Sequence, residues 1–194
     1  MKACMPFRTF ILTLLLALPF GNVMADEDDA KFSSTINVFK QAGESGSFFD
    51  NSYGYAVFPT IGKGGFVVGG AYGKGRVYAA GNITGDTTMT QLSVGFQLGG
   101  QAYSQIIFFE DRRAYDEFTG GNFEFSADAS AVAVTAGATA SAGTSGSAAG
   151  ASGGQHNATT RGNYYRGMAT FVVAKGGLMY EAVLAGQKFS YTPR

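Results

Sequence analysis

The chain has 194 residues and a net charge of zero, so it offers no global attraction to nucleic acid, which takes a clearly basic face. Its 29 glycines are about twice average usage, while 17 Phe and 10 Tyr are too many rings for a disordered or collagen-like chain. An ordered, Gly-rich β protein follows, and with a single cysteine, Cys4, it has no disulfide to rely on.

In chain order, residues 1–25 read as a secretory signal. Lys2 and Arg8 give a positive start, Phe10 to Phe20 an apolar run, and Val23-Met24-Ala25 a small-residue cleavage site. The apolar run is too short to cross a bilayer. The expected mature chain is one periplasmic or secreted domain, 26–194, which loses Cys4 with the signal and carries two more acids than bases. Asp26 to Asp29 favour a helix N-terminus. Phe32, Ile36 and Phe39 then follow i, i+4, i+7 spacing, so an amphipathic helix ending near Gly43 is expected, docked on membrane or closing one end of a sheet.

From Tyr53 the pattern changes to strands: Tyr53 to Phe58, Gly65 to Tyr72, Arg76 to Asn82, Thr88 to Gly100 and Tyr103 to Phe109. Thr90, Leu92, Val94, Phe96 and Leu98 alternate with polar or small residues, the period of a strand with one buried face. Gly73-Lys74-Gly75 and residues 82–86 read as hairpin connections. Asp111 to Phe118 reads as a short helix with Asp111 as N-cap and Gly120-Gly121 as its stop. Phe123, Phe125 and the alanines to Ala133 suggest another long strand. Residues 136–154 hold only Ala, Gly, Ser and Thr, a low-complexity excursion. Tyr164 to Val173 and Leu178 to Phe189 complete the strands, joined by a turn at Lys175-Gly176-Gly177. The fold class is α+β: a mainly antiparallel curled sheet or partial barrel, with an N-terminal helix and one short inserted helix.

Motifs for catalysis and metal binding do not assemble. His156 is the sole histidine and lies beside the low-complexity tract, so neither a triad nor a His-based metal site forms around it. Gly150 to Gly154 satisfies G-x-S-x-G without the strand and helix that a nucleophile elbow needs. Val68 stands where a P-loop requires glycine, and Gly75 follows Lys74 where it requires Ser or Thr. Glu110, Asp111, Asp116 and Glu117 are interleaved with Arg112 and Arg113, as on a solvated helix. No enzyme, cofactor or metal is expected. What remains is a set of glycine-flanked cations, Lys63, Lys74, Arg76 and Lys175, suited to a phosphate headgroup.

The blocks YGYAVFPTIGKGGFVVGGAYGKGRV, QLSVGFQLGGQAYSQIIFF, AYDEF, GNFEFSADAS and KGGLMYEAVL resemble, in order and spacing, the secreted bacterial branch of the SYLF-domain family. The resemblance covers essentially all of the mature chain. It implies a non-enzymatic module whose eukaryotic relatives bind phosphoinositides and membranes, and in yeast actin, through an amphipathic N-terminal helix and basic residues. The matching positions are the Phe32, Ile36 and Phe39 stripe and the lysines of the glycine-rich block. The resulting expectation is a protein that engages anionic membrane lipid. A small outer-membrane β-barrel and a structural envelope or stress protein with a protein partner are the alternatives.

Overall fold

The computed structural model describes residues 22–65, 68–94, 101–126, 129, 131–133, 164–175 and 184–194. Most of the expected signal, the 136–154 tract and the Gly176-Gly177 turn lie outside these residues.

A helix α1 (Asn22–Gln41) and two single turns, α2 (Gly43–Gly46) and α3 (Phe48–Asn51), precede the sheet. Strands β1 (Gly54–Gly65), β2 (Val68–Ala79), β3 (Asn82–Val94) and β4 (Gln101–Phe109) follow. Then come α4 (Arg112–Thr119) and the short β5 (Phe123–Glu124) and β6 (Val132–Ala133). The last strands are β7 (Met168–Lys175) and β8 (Lys188–Pro193). They form one sheet in the order β5-β8-β3-β2-β1-β4-β7-β6, antiparallel except for the β6–β7 pair.

The sheet is curled into a half-barrel. Gln105 lies in β4 and Gln187 just before β8, four places away in the sheet, which is roughly 19 Å if the strands lay flat. Yet Gln105 Nε2 donates to Gln187 Oε1 at 3.0 Å, and the rings of Phe58 in β1 and Phe189 in β8 are 5.6 Å apart. Pairing of β1 with both neighbours shifts register between residues 57 and 61, and the β2–β3 pairing shifts at Val77/Tyr78, irregularities of the kind that bend strands. Ser104 Oγ donates to Pro59 O at 2.7 Å and so satisfies a carbonyl at the bulge.

Two apolar layers follow from strand alternation. Ala56, Phe58, Ile61, Val77, Met89, Ile107, Phe109, Val172 and Phe189 fill the concave side. Helix α4 closes it, with the Phe118 ring 5.0 Å from Phe109 and 5.1 Å from Phe189. Its start is fixed as the sequence predicts, because the Asp111 carboxylate accepts from Ala114 N at 2.8 Å. On the convex side Val57, Ile106, Phe108 and Phe171 are covered by Phe39, Phe48 and their neighbours on α1–α3.

Several expected boundaries are corrected. Gly73-Lys74-Gly75 is not a hairpin: β2 runs straight through it, paired with both β1 and β3. The glycines serve packing. A Cβ on Gly75 would lie 2.6 Å from the Phe58 ring, and one on Gly73 would lie 2.6 Å from Ile61 Cγ1. The β2–β3 turn is Ala80-Gly81, both with positive φ of 48° and 79°, so the expected 82–86 connection is the start of β3. Among the described residues, the stretch expected as one strand from Phe123 to Ala133 forms two short ones, Phe123-Glu124 paired with β8 and Val132-Ala133 with β7, on opposite edges of the sheet. Between them Phe125, Ala129 and Ala131 lie against the concave core.

Candidate functional site

Directly opposed residues share a face of a sheet, so the registers sort the cations. Thr60 pairs with Lys74, Lys74 with Thr88, and Thr88 with Ser190, making one outward row across β1, β2, β3 and β8. The next row toward the open end runs Lys188, Thr90, Tyr72, Gly62, Ala102 and Lys175. The row on the other side holds Asp86, Arg76, Val57, Ile106 and Phe171, and α1–α3 lie over it.

Among the described residues no helix lies over the other two rows of the convex face, which are rich in hydroxyls and ammonium groups. Lys175 Nζ donates to Thr60 Oγ1 at 2.6 Å, although the two residues are 115 positions apart in sequence. Lys74 is exposed on the adjacent strand, opposite the same threonine. Thr88 and Ser190 hydroxyls share a hydrogen bond at 2.5 Å. Tyr72 is 50% exposed and Leu92, further along the same face of β3, is 86% exposed. A third ammonium, Lys188, is partnered by Glu124 at 3.4 Å.

The four cations singled out from sequence thus separate into three situations. Lys74 and Lys175 flank Thr60 on the open part of the convex face. Lys63 pairs with Ala71, a residue of the concave core, so it belongs to the other face, near the mouth of the half-barrel. Arg76 shares the convex face with Lys74 but is 7% exposed and lies beneath α1. There its Nη1 meets Asp29 Oδ1 at 2.5 Å, and the Phe32 ring lies 4.1 Å from its guanidinium carbon. Burial raises the pKa of the neighbouring Tyr78, and the hydrogen bond from Arg76 opposes that shift.

The Phe32, Ile36 and Phe39 stripe faces the sheet in this structure: Phe39 is fully buried, and Phe32 and Ile36 pack against the convex cluster. The acids around α4 are paired on its surface, Asp116 with Arg112 at 3.5 Å and Glu117 with Arg113 at 3.3 Å. Among the described residues no group of three or more His, Cys, Asp or Glu side chains is placed to hold a metal ion, and no helix is long and apolar enough to cross a membrane.

Thr60, Thr88, Ser190 and Tyr72 were not singled out from sequence. Only the T-x-T spacing at Thr88 and Thr90 marks two outward hydroxyls on one strand, and their neighbours come from strands distant in sequence.

Comparison with known proteins places this geometry in context. Residues 90–191 match the Ysc84 family model, described as "Las17-binding protein actin regulator". Over 171 residues the chain is 28% identical to beta cell expansion factor A of Aeromonas veronii, an alignment covering 87% of this chain and 54% of that protein. The chain thus spans about half the length of that relative. Lys175 falls within the family match, whereas Thr60 and Lys74 precede it.

Proposed function

The chain belongs to the Ysc84 (SYLF) family, and from that premise we propose that it is a non-enzymatic periplasmic or secreted protein that binds anionic membrane lipid. The observation that carries this reading is the pair Lys74 and Lys175 on either side of Thr60, on a part of the convex face that no helix of the described residues covers. Two ammonium groups and adjoining hydroxyls supply the donors that a phosphate headgroup accepts. Tyr72 and Leu92, exposed on the same face, supply apolar contact at the lipid interface. The Las17 and actin connection in the family description belongs to that description, and a chain exported from the cytoplasm would meet neither.

The same face argues against a membrane-spanning barrel. Such a barrel presents an apolar band about 25 Å tall to lipid, whereas here helices cover one part of the convex face and Lys74, Lys175 and Lys188 share the rest.

Vesicle co-sedimentation of the protein tests the reading. Binding is expected with phosphatidylglycerol-containing vesicles, not with phosphatidylcholine alone, and it should weaken with salt. Each of Lys74→Gln and Lys175→Gln should lower affinity about fivefold, the effect of roughly 1 kcal/mol per surface lysine near an anionic membrane. Equal binding to neutral and anionic vesicles, or none to either, sinks the proposal.

A further inference from the structure

Among the described residues Arg76 is the one buried cation of this face, and its environment is unusual. Its cross-strand neighbour is Asp86, but that carboxylate is held at both oxygens by Arg194, at 2.8 and 3.0 Å. The carboxylate that reaches Arg76 instead comes from α1: Asp29, whose own side chain is 63% exposed. It engages Nη1, while Arg76 Nε is buried with no hydrogen-bond partner. A guanidinium is a fork that takes two oxygens side by side. Here one carboxylate oxygen engages Nη1 and Tyr78 takes a further hydrogen bond from the same guanidinium, while Nε stays desolvated and unused, a state that costs free energy.

The lid over this site is loosely held at its near end and firmly at its far end. Glu27 to Ala30 are exposed, whereas Phe39, three turns further along α1, is fully buried against the sheet. We propose that Arg76 is a second anion site on the convex face, that the Asp29 carboxylate is its resident ligand, and that a phosphate group displaces Asp29 by lifting the first turns of α1 from the sheet. Phosphate suits the fork better than the singly engaged Asp29 carboxylate does, because two of its oxygens can meet the fork side by side while a third and its extra charge face Lys74, two residues along the same strand face. Once uncovered, Arg76 extends the Lys74–Thr60–Lys175 cluster along β2 into the row beneath α1. The inference rests on the proposed lipid binding only in so far as a headgroup is the source of the phosphate.

The test uses the full chain and separates the two sources. The protein has no tryptophan, so Phe32→Trp places a reporter over the guanidinium, and its emission is followed as inorganic phosphate is added. Phosphate should shift the emission. Asp29→Asn should lower the midpoint about fivefold, the effect of losing a competing pair worth about a surface salt bridge. Glu27→Gln removes the same charge from the same helix, but Glu27 pairs with Lys31 at 2.9 Å, so this change should leave the midpoint alone. Arg76→Gln should abolish the response. If that variant does not fold, Arg76→Lys, which keeps the charge without the fork, should weaken it.

No response in any variant overturns the site, as does a response that survives both Arg76 changes, or an equal effect of Asp29→Asn and Glu27→Gln. A second arm replaces phosphate with phosphatidylglycerol vesicles. A phosphate response without vesicle binding leaves the Arg76 site standing with free phosphate as its ligand and removes the lipid reading. Vesicle binding that depends on Lys74 and Lys175, with no phosphate response at the reporter, does the reverse.

Discussion

Replacing Gln187 by leucine tests whether the curl of the sheet is held by a polar clasp. Gln105 and Gln187 are both completely buried and face each other as two amides. Gln105 Nε2 donates to Gln187 Oε1 at 3.0 Å, and Gln187 Nε2 donates to Gln105 Oε1 at 3.3 Å and to Tyr103 Oη at 3.1 Å. Leucine at 187 leaves both amide groups of Gln105 without these partners in an apolar interior. At about 1–3 kcal/mol for each orphaned group the loss is about 2–6 kcal/mol, and the added apolar burial returns roughly 1–2 kcal/mol of it. The expected outcome, from the mid-range values, is a net destabilisation of about 2–3 kcal/mol in equilibrium urea unfolding, with the slope against urea unchanged. The double variant Gln105→Leu/Gln187→Leu strands neither amide, so it should be more stable than the sum of the single losses by about 2 kcal/mol or more. Single losses that simply add, or a Gln187→Leu chain within about 0.5 kcal/mol of the parent, would refute the clasp.

Other consequences follow from the same packing. Gly75→Ala puts a Cβ 2.6 Å from the Phe58 ring and 2.8 Å from Val57 O, which is backbone and cannot swing away. A loss of about 1–3 kcal/mol is expected from overpacking, against the small gain an open strand position would give; a thermal melt shows which sign holds. Asp111→Ala removes the cap of α4 and should cost about 1 kcal/mol by urea titration, with Asp111→Asn close to the parent. Burial pushes the Tyr55 and Tyr164 hydroxyls from 10 up to about 12. The folded protein therefore keeps these protons after the unfolded chain has released them, so the stability they carry is intact below pH 10 and is lost as pH rises toward 12. Alkaline unfolding followed by circular dichroism should become shallower in Tyr55→Phe, which retains the ring stacked 4.9 Å from Tyr78.

What was legible in the sequence was whatever rests on local chemistry. The Asp111 cap, the α4 span and the Phe32–Ile36–Phe39 stripe need only neighbours within a few turns, and the strand character of residues 53–109 shows in its alternation. Gly73-Lys74-Gly75 misled because glycine marks a turn and a close approach with the same letter. The ring that demands it, Phe58, lies on another strand. The open cationic face was half legible for a similar reason: Lys74 and Lys175 stand out by their glycine flanks, while Thr60 acquires its role only when β7 is laid beside β4 and β4 beside β1. Arg76 shows the converse, since its pattern matches that of Lys74 and only the path of α1 sets the two apart.

The parallel pairing of β6 with β7 has a consequence for chain length. Ala133 sits level with Val172, and the chain next enters the described structure at Tyr164, whose neighbour Tyr165 is bridged to Met168. The return from one end of this pair to the other is roughly 14 Å, which about five extended residues would span. Residues 134–163 number 30, several times that need. The strand geometry therefore sets a minimum number of residues for this crossing, which the sequence exceeds several times over.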